Sequence, residues 1–146
     1  MKRMTAIGFV VGLLVLLLAT VATVAHAGEI AIIANPNVTV ETLARGTIAE
    51  IYLNTKTRWE NDEKIRVVML KTGATHEIFV RDILKTTTEH LTRLWKKVVF
   101  TGAGTPPKIV KEETGMVEFV AETPGAIGYI DAATPHEGVK VISISE

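Results

Sequence analysis

From Gly28 onward, short apolar runs alternate with longer segments in which apolar residues recur every three or four positions. This alternation restricts the fold more than any other feature of the chain. Residues 29–34, Glu-Ile-Ala-Ile-Ile-Ala, read as a short buried strand. Asn35-Pro-Asn37 stops it, because proline restricts the residue before it and brings no ladder donor. Thr39 stands where a helix cap is expected, with Glu41 in the first turn. Val40, Leu43, Ala44, Thr47, Ile48, Ile51 and Tyr52 then share one helical face, which Gly46 weakens by up to about 1 kcal/mol relative to Ala. Residues 54–64 are polar and form a loop carrying Trp59, and residues 65–70 form a second strand.

Lys71-Thr-Gly-Ala74 makes a tight loop, with Thr75 placed to cap a helix whose apolar side is Ile78, Phe79, Ile83 and Leu84. Thr86-x-x-Glu89 has the pattern of a capping box for a third helix, buried through Leu91, Leu94, Trp95, Val98 and Val99. Thr101-Gly-Ala-Gly-Thr-Pro-Pro107 is a loop, and Pro107 suits the first position of a fourth helix containing Ile109, Val110, Met116, Val117, Val120 and Ala121. Thr123-Pro-Gly125 ends that helix. Strands follow at residues 126–130 and 139–144, and Val139, Val141, Ile142 and Ile144 place apolar groups on both faces of the last one. The resulting order β-α-β-α-α-α-β-β defines an α/β fold, a three-layer sandwich with a mainly parallel sheet. Ligands of such sheets gather beyond the carboxyl ends of the strands.

Composition matters chiefly through its unevenness. Lys2 and Arg3 precede a charge-free run over residues 7–25, and Ala25-His-Ala27 offers small residues around a cleavage point. A basic start, an apolar run and small residues at the end make a secretory signal over residues 1–27, leaving a domain of residues 28–146. The rival reading is an uncleaved membrane anchor, since the run approaches the length of a spanning helix. The 119 residues left carry 14 basic and 16 acidic side chains, so no global basic field attracts nucleic acid. Cysteine is absent, which excludes disulfide scaffolds, thiolate zinc sites and cysteine nucleophiles.

The loop 71–75 follows a strand and opens a helix. The amides of Gly73 and Ala74, the Thr75 hydroxyl and the Lys71 ammonium would favour a small oxyanion, while an ordinary strand-to-helix turn would have the same residues. Gly102, Gly104 and Thr105 could supply a second set of donors or merely a flexible connector; no Gly-Lys-Ser/Thr follows, so this is not a Walker loop. His76, His90 and His136 do not pair at metal spacing, so no metal and no cofactor is expected. His76 could donate to an anion or sit on a solvated surface. Ser143 and Ser145 end a strand without a nucleophile elbow, and the adjacent pairs Asp62-Glu63 and Glu112-Glu113 diverge rather than form an acid–base dyad, so an enzyme is not expected.

Several segments together resemble bacterial phosphate ABC-transporter substrate-binding proteins, which are type II periplasmic binding proteins. They are Ala34-Asn-Pro-Asn37, Thr42-Leu43 with Ile48-Ala-Glu-Ile-Tyr52, Thr57-Arg-Trp-Glu-Asn61 with Ile65-Arg-Val-Val68, Thr75-His-Glu-Ile-Phe79, Thr123-Pro-Gly-Ala-Ile-Gly-Tyr129 and Val139-Lys-Val-Ile-Ser-Ile144. The resemblance implies one lobe of that two-lobe fold. The family's Ser-Gly-Thr anion loop falls on Gly73, Ala74 and Thr75, and its arginine falls near Met69, so the threonine alone is retained. The function implied is a periplasmic substrate-binding-like protein for phosphate or a related oxyanion, linked to an ABC permease, with a dimer or partner supplying the second lobe. The alternative is an envelope protein-interaction or sensory module that kept the fold and lost the ligand.

Overall fold

The computed structural model describes residues 28–146. The expected export signal lies outside the described residues. No helix among them is long and apolar enough to cross a membrane.

Six strands form one sheet: β1 (Ile30–Ala34), β2 (Thr42–Ala44), β3 (Arg66–Leu70), β4 (Lys108–Val110), β5 (Ala126–Asp131) and β6 (Lys140–Ser145). Their order across the sheet is β2-β6-β1-β5-β3-β4. β5, β3 and β4 run parallel, as do β6 and β2, and β1 runs against both neighbours. Five strands therefore share one direction, and their carboxyl ends share one edge.

The helices are α1 (Arg45–Tyr52), α2 (Ala74–Ile78), α3 (Thr88–Thr101) and α4 (Glu113–Glu122), and α2 passes directly into a π-helical turn over Phe79–Ile83. They cover both faces of the sheet. A side chain at Gly128 of β5 would collide with Met116 and Val120 of α4. The next residue, Tyr129, points the other way, stacking face to face on Phe79 at 3.7 Å and meeting Tyr52 of α1 edge-on at 5.9 Å. The α/β three-layer arrangement follows from these opposed contacts.

Short strands replace two stretches that periodicity assigns to helices. The chain at Val40 to Ala44 is not helical: Thr42–Ala44 pairs with Ser143–Ser145, and α1 begins at Arg45 without a side-chain cap from Thr39. Gly46 then falls in the first turn, where it interrupts little. Lys108–Val110 adds to the open edge of β3, because successive prolines hold the incoming chain extended and Ile109 and Val110 favour a strand. Helix α4 consequently starts six residues later than Pro107 suggests. The cap of α3 is Thr87, whose hydroxyl accepts from His90 N–H at 3.2 Å, one residue beyond the expected Thr86 box. Val99 is exposed rather than buried. In β6, Ile142 is buried while Val141 is exposed, so this strand is covered on one face only.

Candidate functional site

The motifs that carry the family resemblance divide into two clusters. One is a structural latch at the start of β5. Trp59 Nε1 donates to the Gly125 carbonyl at 3.0 Å, and Gly125 N–H donates to Asn37 Oδ1 at 3.0 Å. Asn37 Nδ2 reaches the Glu63 carboxylate at 2.9 Å, and the buried Asn35 amide donates to the last carbonyls of α4, Val120 and Ala121. Asn35-Pro-Asn37 therefore closes the open end of a helix and joins three loops. Both tryptophans are buried, and Trp95 Nε1 donates to the Tyr52 carbonyl, so neither offers a free face to a ligand.

The second cluster lies where β3, β4 and β5 end. Lys71, Gly73 and Ala74 are exposed at this edge, directly after β3, and Lys71 N–H donates to the Val110 carbonyl. Gly73 has φ of +114° and is itself the N-cap of α2. Thr75 is therefore inside the first turn, not the cap, and its hydroxyl is free to reach sideways to Glu113 Oε2 at 3.4 Å. The N–H groups of the first turn have no intrahelical acceptor.

His76, half expected on the surface, is 4% exposed. Its Nδ1 lies 2.5 Å from Tyr129 Oη, and that oxygen accepts from Leu70 N–H at 3.0 Å. His76 Nδ1 and the Tyr129 hydroxyl therefore share one short hydrogen bond, whose donor depends on the imidazole tautomer. Burial lowers the His76 pKa, against a smaller raising effect of Glu77, and burial pushes the Tyr129 phenol well up. Both groups are thus held uncharged beside the loop.

Glu113, set aside in the sequence as half of a divergent pair, is the residue the pattern missed. It is half-buried and projects from the start of α4 into this edge. Its carboxylate accepts from Asp131 N–H, from Thr134 Oγ1 at 3.3 Å and from Thr75. A helix start at Pro107 hid it; placing α4 after a strand would have put this acid in a first turn, where acids belong.

Gly102, Gly104 and Thr105 do not join this cluster. Gly102 is the left-handed cap that ends α3, with φ of +67°. Gly104 packs on the Asn54 side chain, and Thr105 accepts from Lys64 Nζ at 2.6 Å. Gly104 and Thr105 border a cleft of about 490 Å³ with Lys64, Arg66 and Lys108, at the amino ends of β3 and β4. The two loops thus stand at opposite ends of the same strand. Among the described residues no group of histidine and acidic side chains is arranged to hold a metal ion.

No protein-family model matches the chain, and no curated protein matches it in sequence. Solved structures do match in fold. A protein assigned as a phosphate ABC-transporter substrate-binding protein from Clostridium perfringens, crystallised with bound phosphate, aligns with a TM-score of 0.64 and 24% identity over 79% of this chain and 44% of its own. An ABC-type phosphate transport receptor from Vibrio cholerae aligns at 0.64 and 21% identity over 82% and 48%. PstS from Borrelia burgdorferi aligns at 0.57 and 16% identity over 80% and 47%. The fold is that of a lobe of these binding proteins, and the chain spans about half their length.

Proposed function

We propose that this chain is an exported, non-enzymatic, substrate-binding-type protein of the periplasm that takes phosphate or a related small oxyanion at the carboxyl edge of β3. Lys71, the amides of Gly73 and Ala74, and the Thr75 hydroxyl are the groups assigned to the ligand. What supports the reading is that the loop 71–75 directly follows β3 at the edge where parallel strands end, in a fold shared with phosphate-binding proteins. Neutral donors with one nearby ammonium suit a small anion. A second copy or a partner would supply the opposite wall of the site, and an ABC permease is the expected docking partner.

Calorimetric titration of the purified protein with phosphate, sulfate and molybdate tests the reading. Thr75→Val and Lys71→Ala are each expected to weaken binding about tenfold, the size of one charge-assisted hydrogen bond. No heat and no thermal shift at millimolar anion overturn it. The envelope-interaction reading has its own support in the apolar patch of Phe100, Val99 and Ile109, with Phe100 92% exposed, and a silent titration would favour it.

A further inference from the structure

Glu113 belongs to the first turn of α4, yet its carboxylate is spent on groups from three other places: the end of β5, the turn after it and α2. Among the described residues no lysine, arginine or histidine nitrogen lies within 4 Å of it. It is a carboxylate held by neutral donors alone, one backbone N–H and two threonine hydroxyls. The Asp131 side chain does not compete for them, since its own oxygens accept from Ala133 N–H at 2.9 Å and Gly28 N–H at 2.8 Å.

A donor set of this kind recognises oxyanions in general. The two hydroxyl contacts, 3.3 and 3.4 Å, are long for O–H···O bonds, so a ligand of better shape could shorten both. A threonine has a single hydroxyl proton. Thr75 therefore cannot donate to Glu113 and to a bound anion at once, and Thr75 is also the hydroxyl assigned to the ligand above.

We propose that Asp131 N–H, Thr134 and Thr75 form an oxyanion site whose resident is the chain's own Glu113 carboxylate, and that a free oxyanion enters by displacing it. The inference rests on the oxyanion reading of this edge and deepens it. It makes Glu113 the residue that sets how tightly, and which, small anions bind. A purely structural Glu113 would instead tie α4 to β5, and its loss would be mended by no solute.

The test compares the unaltered protein with Glu113→Ala, titrated with inorganic phosphate and with acetate, the latter a free counterpart of the missing carboxylate. Glu113→Ala is expected to bind at least tenfold more tightly than the unaltered protein and to gain thermal stability from either anion. Thr134→Val in the Glu113→Ala background should abolish the gain. The Asp131 amide resonance should shift and saturate in Glu113→Ala at anion concentrations that leave it unmoved in the unaltered protein.

A folded Glu113→Ala with no gain in affinity and a static Asp131 amide overturns the proposal. If that variant does not fold, Glu113→Gln, which keeps the shape and removes the charge, must bind phosphate at least threefold more tightly, and an unchanged affinity overturns the proposal equally. Equal binding by the unaltered protein and the variant defeats the occupancy but leaves the oxyanion reading intact; silence from both defeats the two together.

Discussion

Gly125→Ala is expected to lower stability by about 3 kcal/mol and the melting temperature by about 10 °C, read by chemical and thermal denaturation. Two costs combine. Gly125 has φ of +78°, and an L side chain in left-handed backbone costs roughly 1–2 kcal/mol. A Cβ there would also stand 2.4 Å from the Lys64 carbonyl oxygen, a backbone atom that cannot step aside alone. Relief would require the loop carrying Trp59 to move away from the start of β5, stretching the bonds from Trp59 Nε1 and from Arg66 N–H to the Gly125 carbonyl and from Gly125 N–H to Asn37. Overpacking of this kind typically costs a further 1–3 kcal/mol. Gly46→Ala is the control: the space around Gly46 is empty and its backbone is helical, so that change should be neutral or slightly stabilising. Equal stability of the Gly125→Ala protein would show that the latch is slack.

The glycine result bears on what resemblance motifs mean. Asn35-Pro-Asn37, Trp59 and Pro124-Gly125 were readable in the chain because their residue types are chemically distinctive, and they meet in space because they hold the fold together. Strands β1, β3, β5 and β6 were readable for a simpler reason: each is a short apolar run bounded by proline, glycine or polar residues. β2 and β4 were not. Each has three residues, too few for a period to register, and each is a strand only because β6 or β3 offers an open edge. That omission spread to the site. With residues 108–110 read as helix, loop 102–105 could be imagined beside loop 71–75, whereas β4 holds it at the other end of β3. The same error buried Glu113 in mid-helix and concealed the acid now facing Thr75. The loop 71–75 itself was legible, since a strand, a glycine and a threonine in sequence need no distant partner to be recognised.

Tyr129→Phe should cost about 2 kcal/mol, although it deletes one oxygen and keeps the ring that stacks on Phe79. The phenol oxygen is the acceptor for Leu70 N–H, and its loss leaves that buried donor unsatisfied, a penalty of roughly 1–3 kcal/mol. Tyr52→Phe is the matched comparison. That hydroxyl donates its one proton to the Val68 carbonyl at 3.1 Å, with the Ile127 carbonyl farther off at 3.4 Å, so its removal strands no donor and should cost about 1 kcal/mol or less. His76, in contact with the Tyr129 hydroxyl, carries a pH dependence of its own. Burial lowers the His76 pKa in the folded protein, while the unfolded chain titrates near the ordinary value of 6.5. Between those two values the unfolded state holds more protons, so stability rises with pH there, by at most about 1.4 kcal/mol per pH unit. Stability is complete above about pH 6.5 and falls as the solution is acidified toward the folded pKa, below which this contribution is spent. Denaturation followed between about pH 8 and pH 5 should show that slope in the unaltered protein and a shallower one in His76→Gln. Identical slopes in the two proteins would remove His76 as the source and leave the acid sensitivity to the carboxylates.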